Sequence, residues 1–511
     1  MSDDAAPPPP NPFDDFVYPG YAYWFTHPDH LGLLAWLHYL EPAPASACRV
    51  LELGCGDGGN LLSLAQALPE SRFVGVDLAG EPIYRGLALA GDLGLDNVDL
   101  RQADVRDLLA WPDDDLGSFD FIVAHGLFSW VPDDVREAVL AVIRRALAPN
   151  GVAVVSFNAY PGMHDYEALR HFMRFHSLTY APEERVKGAR DGGLWYAAQI
   201  ATMAPEIKGA LMQRLYTSLE RSSDALIRHD YLAENEQSFW FTDFMERAQR
   251  HGLAFLTNAK PTVLRLAHFS PEHAELLRGV TDPIRQQQYM DFLANTRFRV
   301  VALCRAEARL ERSADLGRFA GLALEDRAHT DVWAEELRDD EKVTLETPHG
   351  LVELSGRPLR IALSVLHAAA PRALTLEELL ARTIPELARF GADDGLAANE
   401  DGRAQLGAWL TRELVAVWFQ GLVHLWHEPP DLAAAVPERP QTGPLQRERA
   451  RERATVPSLA HREEPLDALE RAVLALCDGA RTGVEIAREL GERDVGEVLA
   501  RLHRLAFFAP G

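Results

Sequence analysis

Short apolar runs that stop at a glycine or an acid recur through the first third of the chain, each followed by a stretch of helical period. Arg49 to Leu53 leads into Gly54-Cys55-Gly56-Asp57-Gly58-Gly59, and a helical pattern runs from Asn60 to Leu68. Arg72 to Val76 stops at Asp77, with a helix from Glu81 to Leu93. Val98 to Arg101, Phe119 to Ala124 and Val152 to Phe157 repeat the motif, with a helix from Pro132 to Leu147 before the last. Alternation of this kind predicts a Rossmann-like, doubly wound α/β sheet. From Asp165 to Tyr231 the apolar spacing is helical throughout, which predicts a helical insertion. Strands over 252–257 and 297–304, with a second helical insertion over 271–295 between them, bring the count to seven.

After residue 305 the pattern changes. Charged residues over 306–328 read as a linker. A hairpin around Pro348-His349-Gly350 and helices over 360–369, 375–383 and 405–418 predict a winged-helix-like α+β module spanning 329–428. Residues 429–464, rich in Pro, Arg and Glu, read as a mixed-charge linker. Residues 465–511 read as a small helical C-terminal unit. The expected divisions before these are an N-terminal segment and lid (1–40), the core strands (41–160), the first insertion (161–238) and the completion of the sheet (239–305). Residues 1–12, acidic and proline-rich, read as disordered. Nine aromatics between Phe13 and Tyr39, among them Phe16, Tyr18, Tyr23 and Phe25, could lid a ligand or pack a helix over 31–40.

Charge narrows the choice of partners. The 511 residues carry a formal net charge of −25, which disfavours sequence-independent binding to nucleic acid and suits a basic partner. In the 355–425 stretch arginines and acids nearly balance, so protein contact is expected there rather than DNA reading. The four cysteines form no C-x-x-C pair, so neither a zinc site nor a disulfide framework is expected, and a reducing cytoplasm suits them. His27-Pro28-Asp29-His30 has ligand-like spacing but no third ligand nearby, and reads as a helix start. No metal site, secretion signal or membrane span is expected.

The strand ends carry the chemistry. Gly54, Gly56 and Gly58 let the backbone turn and approach a ligand, and the helix start after them suits a carboxylate. Gly54, Gly56 and Gly59 also fit G-x-G-x-x-G, the dinucleotide fingerprint. Glu52 argues against that ligand, because it would repel a pyrophosphate, whereas it can accept from the ammonium of a methionyl group. Asp77 can accept from both ribose hydroxyls. Asp104 can accept from an adenine amino group, with Val105 flanking the ring, and His125 ends the fourth strand. Ligands of open α/β sheets bind along this carboxyl edge.

Three stretches carry a family resemblance: Cys48 to Asn60 with Ser71 to Asp77, Ala124 to Pro132, and Ser156 to His164. The region from Val50 to Phe157 resembles a class I S-adenosylmethionine-dependent methyltransferase. More narrowly, it resembles the bacterial, rickettsial-type protein lysine methyltransferases that carry a methyltransferase regulatory domain. His229-Asp230-Tyr231-Leu232 matches a further motif of that family. Met163 stands where the family has a Trp, and the residues after Tyr18-Pro19 also depart from its pattern; both differences lie where substrate would enter.

The resemblance implies S-adenosyl-L-methionine as cofactor, held by Glu52, Gly54, Cys55, Gly56, Asp57, Asn60, Asp77, Leu78, Asp104, Val105 and His125. It implies a protein partner presenting lysine as methyl acceptor, with His125, Tyr160 and His164 as candidate proton acceptors. A small-molecule methyltransferase, a nicotinamide oxidoreductase and a non-catalytic cofactor-binding scaffold are the alternatives. The C-terminal modules are expected to add nothing to the cofactor site, so that a chain ending near Ala306 would suffice for binding.

Overall fold

In a computed structural model the described residues are 20–260, 270–312, 316–328, 343–347, 350–389 and 399–510. Phe13, Phe16, Tyr18, Pro19, the proline-rich start and the hairpin tip at Pro348-His349 lie outside them. Five strands, β1 (Arg49–Leu53), β2 (Arg72–Asp77), β3 (Val98–Gln102), β4 (Phe119–Ala124) and β5 (Leu147–Asn158), pair in parallel. β6 (Leu253–Asn258) and β7 (Phe298–Arg305) complete a seven-stranded sheet of order β3-β2-β1-β4-β5-β7-β6, with β7 antiparallel to both neighbours. Alternate residues face opposite sides of each strand. Leu51, Ile122, Ala153 and Val155 enter one core, and Val50, Phe121, Val152 and Val154 the other.

Helix α1 (Pro28–Leu37) is buried from Pro28 to Ala35 because it lies between two cores. Leu31, Leu34 and Ala35 face the sheet, and Leu33 joins the core of the following module. His27 caps it, its Nδ1 accepting from the Asp29 N–H at 3.1 Å. The first insertion, with helices His164–Ser177, Arg185–Met203 and Pro205–Arg221, has a core of its own around Leu169, Met173, Leu215 and Leu219. The second, ending in helix Pro283–Ala294, is pinned to the sheet by Arg299 of β7. That fully buried guanidinium meets both Asp291 oxygens at 3.0 and 3.1 Å and also donates to Asn258 and Gln287. Such a pair persists only because its remaining donors are also satisfied.

Two expected linkers are structured. Within 306–328, β8 (Ala323–Asp326) is the central strand of a second sheet, and all four of its residues are buried. The expected hairpin is β9 (Val343–Thr347) with β10 (Gly350–Leu354). β11 (Leu374–Thr375) and β12 (Val423–Trp426) flank β8, and helices Arg357–Ala369, Leu376–Arg389 and Glu400–Phe419 pack against them. Within 429–464, a helix at Pro444–Glu452 and the strands β13 (Thr455–Pro457) and β14 (Glu463–Pro465) belong to one unit with the terminal helices Ala468–Leu476, Gly483–Leu490 and Gly496–Arg504. Val456, Leu466, Val473, Ile486, Leu502 and Phe507 share its core. Charge in these stretches does not mark solvent: Arg449 and Arg462 are 6% and 5% exposed, and both point at acids elsewhere in the chain.

Candidate active site

The loop after β1 turns through Gly54, Gly56 and Gly58, all at positive φ, a region that side-chain-bearing residues rarely enter. Gly54 and Cys55 donate to the Val76 carbonyl at 2.8 and 3.2 Å, which ties the loop to the end of β2. A Cβ on Gly56 would meet nothing within 4 Å, so the loop faces open space there. Gly59 is needed for a different contact: a Cβ on it would lie 2.3 Å from the Gly20 carbonyl oxygen. The cysteine in the loop, Cys55, is buried, which pushes its thiol well above the usual range.

Glu52 is 4% exposed. Its Oε1 accepts from the Asn60 amide at 3.2 Å, while Oε2 is buried with no hydrogen-bond partner among the described residues. Desolvation raises its pKa to about 8, against the lowering effect of the Asn60 bond. An unmatched buried carboxylate oxygen is costly, and a cationic ligand group would match it. The other end of the Asn60 amide is also engaged: Oδ1 accepts from the Tyr23 N–H, from the Thr26 hydroxyl and from His461.

Asp77 braces the loop. One oxygen accepts from the Gly56 N–H and the other from the Ala79 N–H, each at 2.8 Å. Leu78 beside it is half exposed, an apolar face at the mouth of β2. We expect Asp77→Ala to weaken cofactor binding by about 1.5–3 kcal/mol, the range for a hydrogen bond to a charged group. It should also lower the thermal midpoint, because two loop N–H groups lose their acceptor. Calorimetry and a melting curve check the two effects, and a midpoint equal to the parent's would show that the brace does not matter.

Three residues expected to contact the cofactor also have partners within the chain. Asp57 is 6% exposed. It caps α2 (Gly59–Ala67) through the Gly59 N–H at 3.0 Å, and it lies 3.3 Å from Arg453 and 3.7 Å from Arg449. One N–H of the helix start that suits a ligand carboxylate is therefore taken by a side chain of the same loop. Asn60, as above, serves Glu52. Asp104 is gripped by its neighbour Arg106 through the side chain and the backbone N–H, which holds its carboxyl below the ordinary range. Arg106 reaches on to Asp134 at 2.6 Å. Val105 is buried in the sheet core.

His125 lies at the end of β4. Ser156 Oγ is 2.9 Å from its Nδ1 and accepts from the Gly126 N–H at 2.9 Å. Tyr23 and Phe25 stand edge-on to the imidazole at 4.2 and 5.1 Å, and Phe298 lies 6.1 Å away. Burial, then the charge of Lys260, brings the His125 pKa down to about 3, so the ring is neutral at ordinary pH. Lys260, two residues beyond β6, places Nζ 4.4 Å from the Phe25 ring centroid. It has no carboxylate partner among the described residues, and desolvation lowers its pKa.

Tyr160 and His164 form a separate group. Their rings stack at 4.4 Å, with Trp240 against both. The Tyr160 hydroxyl donates to Glu167 at 2.6 Å, and burial first, then that bond, holds the phenol in its protonated form. Among the described residues no ring contact or hydrogen bond joins this pair to His125. His229 and Asp230 lie in a single π-helical turn, Ile227–Tyr231, where burial raises Asp230 to about 6. No chemistry follows from that placement.

The sequence pattern gave no sign of the contribution from the far end of the chain. Arg453 donates to the Gly20 carbonyl at 2.7 Å, and Glu463 accepts from the Ala22 N–H at 2.9 Å. His461 contacts Ser63 and Asn60 of α2, each at 3.0 Å. The last unit packs directly behind the loop, a contact that the expectation of a cofactor site independent of the C-terminal modules does not include. A lone histidine in a mixed-charge stretch carries no pattern that could have revealed this.

A glycine turn after β1, an unmatched acid before it and an acid ending β2 define an S-adenosylmethionine-dependent methyltransferase site on a Rossmann-like sheet. Family models agree: a methyltransferase domain matches residues 50–151, a predicted methyltransferase regulatory domain 223–305, and a PKMT C-terminal winged helix domain 438–501. The chain belongs to the methyltransferase family that carries this regulatory domain. An uncharacterized protein of Rickettsia prowazekii is 30% identical over 238 residues, which is 47% of this chain and 94% of that one. A second from the same organism is 34% identical over 307 residues, 59% of this chain and 54% of the relative, so little more than half of that relative's length is matched. PKMT2 from Rickettsia typhi in complex with AdoHcy superposes with a TM-score of 0.83 at 22% identity, covering 96% of this chain and all of that one, a likeness of fold. The winged-helix match falls on the stretch read from sequence as a linker plus a helical unit.

The site fits the cofactor S-adenosylmethionine: the orphan Glu52 oxygen suits its ammonium and the open face at Gly56 leaves room for it. Among the described residues there is no group of three or more His, Cys, Asp or Glu placed to hold a metal, and no helix is long and apolar enough to cross a membrane.

Proposed function

We propose that the chain transfers methyl groups to lysine side chains of a protein. The observation that carries this reading is Lys260. At the edge formed by Tyr23, Phe25, His125 and Phe298, an amine is desolvated with no carboxylate partner among the described residues, and its pKa falls. A substrate lysine, with an ordinary pKa of about 10.4, needs the same treatment, because only the neutral amine has a lone pair to attack with. The cofactor supplies an activated methyl on sulfur.

In this reading the protein provides orientation and a dry edge. Glu52 holds the ammonium, Gly54 to Gly56 lie along the methionyl chain, Asp77 takes the ribose, and Leu78 and Asp104 meet the adenine. His125 serves as a neutral wall. With its pKa near 3 it is too weak a base to draw a proton from an ammonium. Tyr160, held protonated, is no better, and desolvation favours the neutral amine before transfer. The net charge of −25 favours lysine-bearing partners, and the PKMT name of the structural neighbour and of the winged-helix model supports the same class.

The test is incubation of bacterial lysate with the protein and methyl-tritiated cofactor, followed by mass spectrometry of labelled proteins. Methyllysine in intact protein is the expected result. Label confined to the small-molecule fraction would overturn the assignment.

A further inference from the structure

His461, 401 residues away from Asn60 in sequence, sits in the turn between β13 and β14 and is 1% exposed. Its two ring nitrogens face Ser63 Oγ and Asn60 Oδ1, each at 3.0 Å. The identity of the Asn60 atom is fixed by its other neighbours. The Tyr23 backbone N–H, 3.0 Å away, can only donate, and the Thr26 hydroxyl, 3.1 Å away, lies on the same side. The oxygen must face them, so the nitrogen faces Glu52. It follows that His461 Nε2 carries the hydrogen and donates it, while Nδ1 accepts from the Ser63 hydroxyl. Burial keeps the imidazole neutral, so it presents one donor and one acceptor in fixed places.

The backbone carries a second sign. His461 has φ +55°, in the left-handed region where a residue with a Cβ is strained. Glycine or asparagine would occupy this turn more easily. The imidazole is held there by the two polar contacts to α2.

We propose that His461 is a positioning residue for cofactor binding. Its Nε2–H locks the Asn60 amide so that Nδ2 holds Glu52 Oε1 and leaves Oε2 presented to the cofactor ammonium. The proposal rests on the reading of Glu52 as the ammonium acceptor. It makes the C-terminal winged helix a part of the binding site at one remove: the wing turn sets the direction of a carboxylate it never touches.

The test uses the full chain and S-adenosylhomocysteine as probe, with calorimetry for affinity and a melting curve for folding. His461→Leu fills the space without a donor and should weaken binding about tenfold, the size of one buried hydrogen bond, raising KM for the cofactor more than it lowers kcat. His461→Gln restores an N–H donor and should recover most of the affinity, a rescue that simple packing would not give. Ser63→Ala, which leaves the packing nearly unchanged, should also weaken binding and covers the case in which His461→Leu does not fold. In a Glu52→Gln background, His461→Leu should have no further effect on affinity. Parent-like affinity in His461→Leu, or in Ser63→Ala where the former does not fold, would overturn the proposal, as would an undiminished loss in the Glu52→Gln background. Parent-like affinity in Glu52→Gln itself would instead sink the Glu52 assignment.

Discussion

A chain cut after Arg305 is expected to lose cofactor binding, although every strand end of the methyltransferase sheet remains in it. The cut removes Arg453 and Arg449 from Asp57, Arg453 from the Gly20 carbonyl, Glu463 from the Ala22 N–H and His461 from Asn60. It also uncovers apolar surface. Leu62 of α2 and Ala90 of α3 (Gly80–Asp92) pack against Leu445, and Leu33 of α1 belongs to the core of the middle module. Asp57, buried beside two arginines, would be left with the Gly59 N–H alone. Removing one side of a buried charge pair costs about 3–5 kcal/mol. The segment carrying Tyr23 and Phe25 would then lose its anchors at Gly20 and Ala22 and keep those to Asn60, which loosens the wall beside His125. Calorimetry with S-adenosylhomocysteine on monodisperse truncated protein measures the effect. Affinity equal to the full chain's would show that the last unit is an independent module. The double variant Arg449→Ala/Arg453→Ala in the full chain should move in the same direction by a smaller amount.

Glu52→Gln should move two quantities in opposite directions. Affinity for the cofactor should fall by about 2–4 kcal/mol, since a buried partner for an ammonium is lost. The cofactor-free protein should become more stable at pH 7. The sign follows from the raised pKa of about 8: an acid that binds its proton more tightly when folded destabilises the fold by an amount that grows as pH rises from its unfolded value near 4.5 to about 8 and stays at full size above that. Glutamine removes that penalty. The same shift predicts that binding near neutral pH expels a proton from Glu52, so affinity should rise between pH 6 and 7.5 in the parent and stay nearly flat in the variant. Titrations in buffers of different ionisation enthalpy read the released proton directly. A variant that binds like the parent and shows the same pH slope would remove Glu52 from the site.

Local pattern carried the first half of the molecule. The five parallel strands announce themselves because each is a short apolar run closed by a polar residue, and β1 and β2 each place an acid where a ligand meets the sheet. The partners of those acids were not legible. Asp57 and Asn60 look like cofactor contacts in a one-dimensional reading because they follow the glycine turn. Their side chains also meet Arg453 and His461, hundreds of residues later, and sequence spacing contains no trace of such a pairing. The same limit hid β8, a four-residue strand in a charged neighbourhood, whose Glu325 and Asp326 are buried because Arg462 and His367 meet them. Arginines at 447–453 read as a solvated stretch for the same reason.

The hydrogen bond from Ala22 to Glu463 spans 441 residues, and this distance has a consequence for synthesis. A ribosome makes the N-terminal segment first, yet the groups that pin it against the glycine loop emerge last. At about 5–20 residues per second, the strands of the methyltransferase sheet are complete well before residue 463 is available. For that interval the nascent chain holds an assembled sheet with an aromatic segment not yet held by Arg453 and Glu463 and exposed apolar faces on α1 and α2. The contacts of Arg453 and Glu463 with residues 20 and 22 therefore form late in the making of each molecule, and products of interrupted translation are expected to share the weakened cofactor binding of the truncated chain.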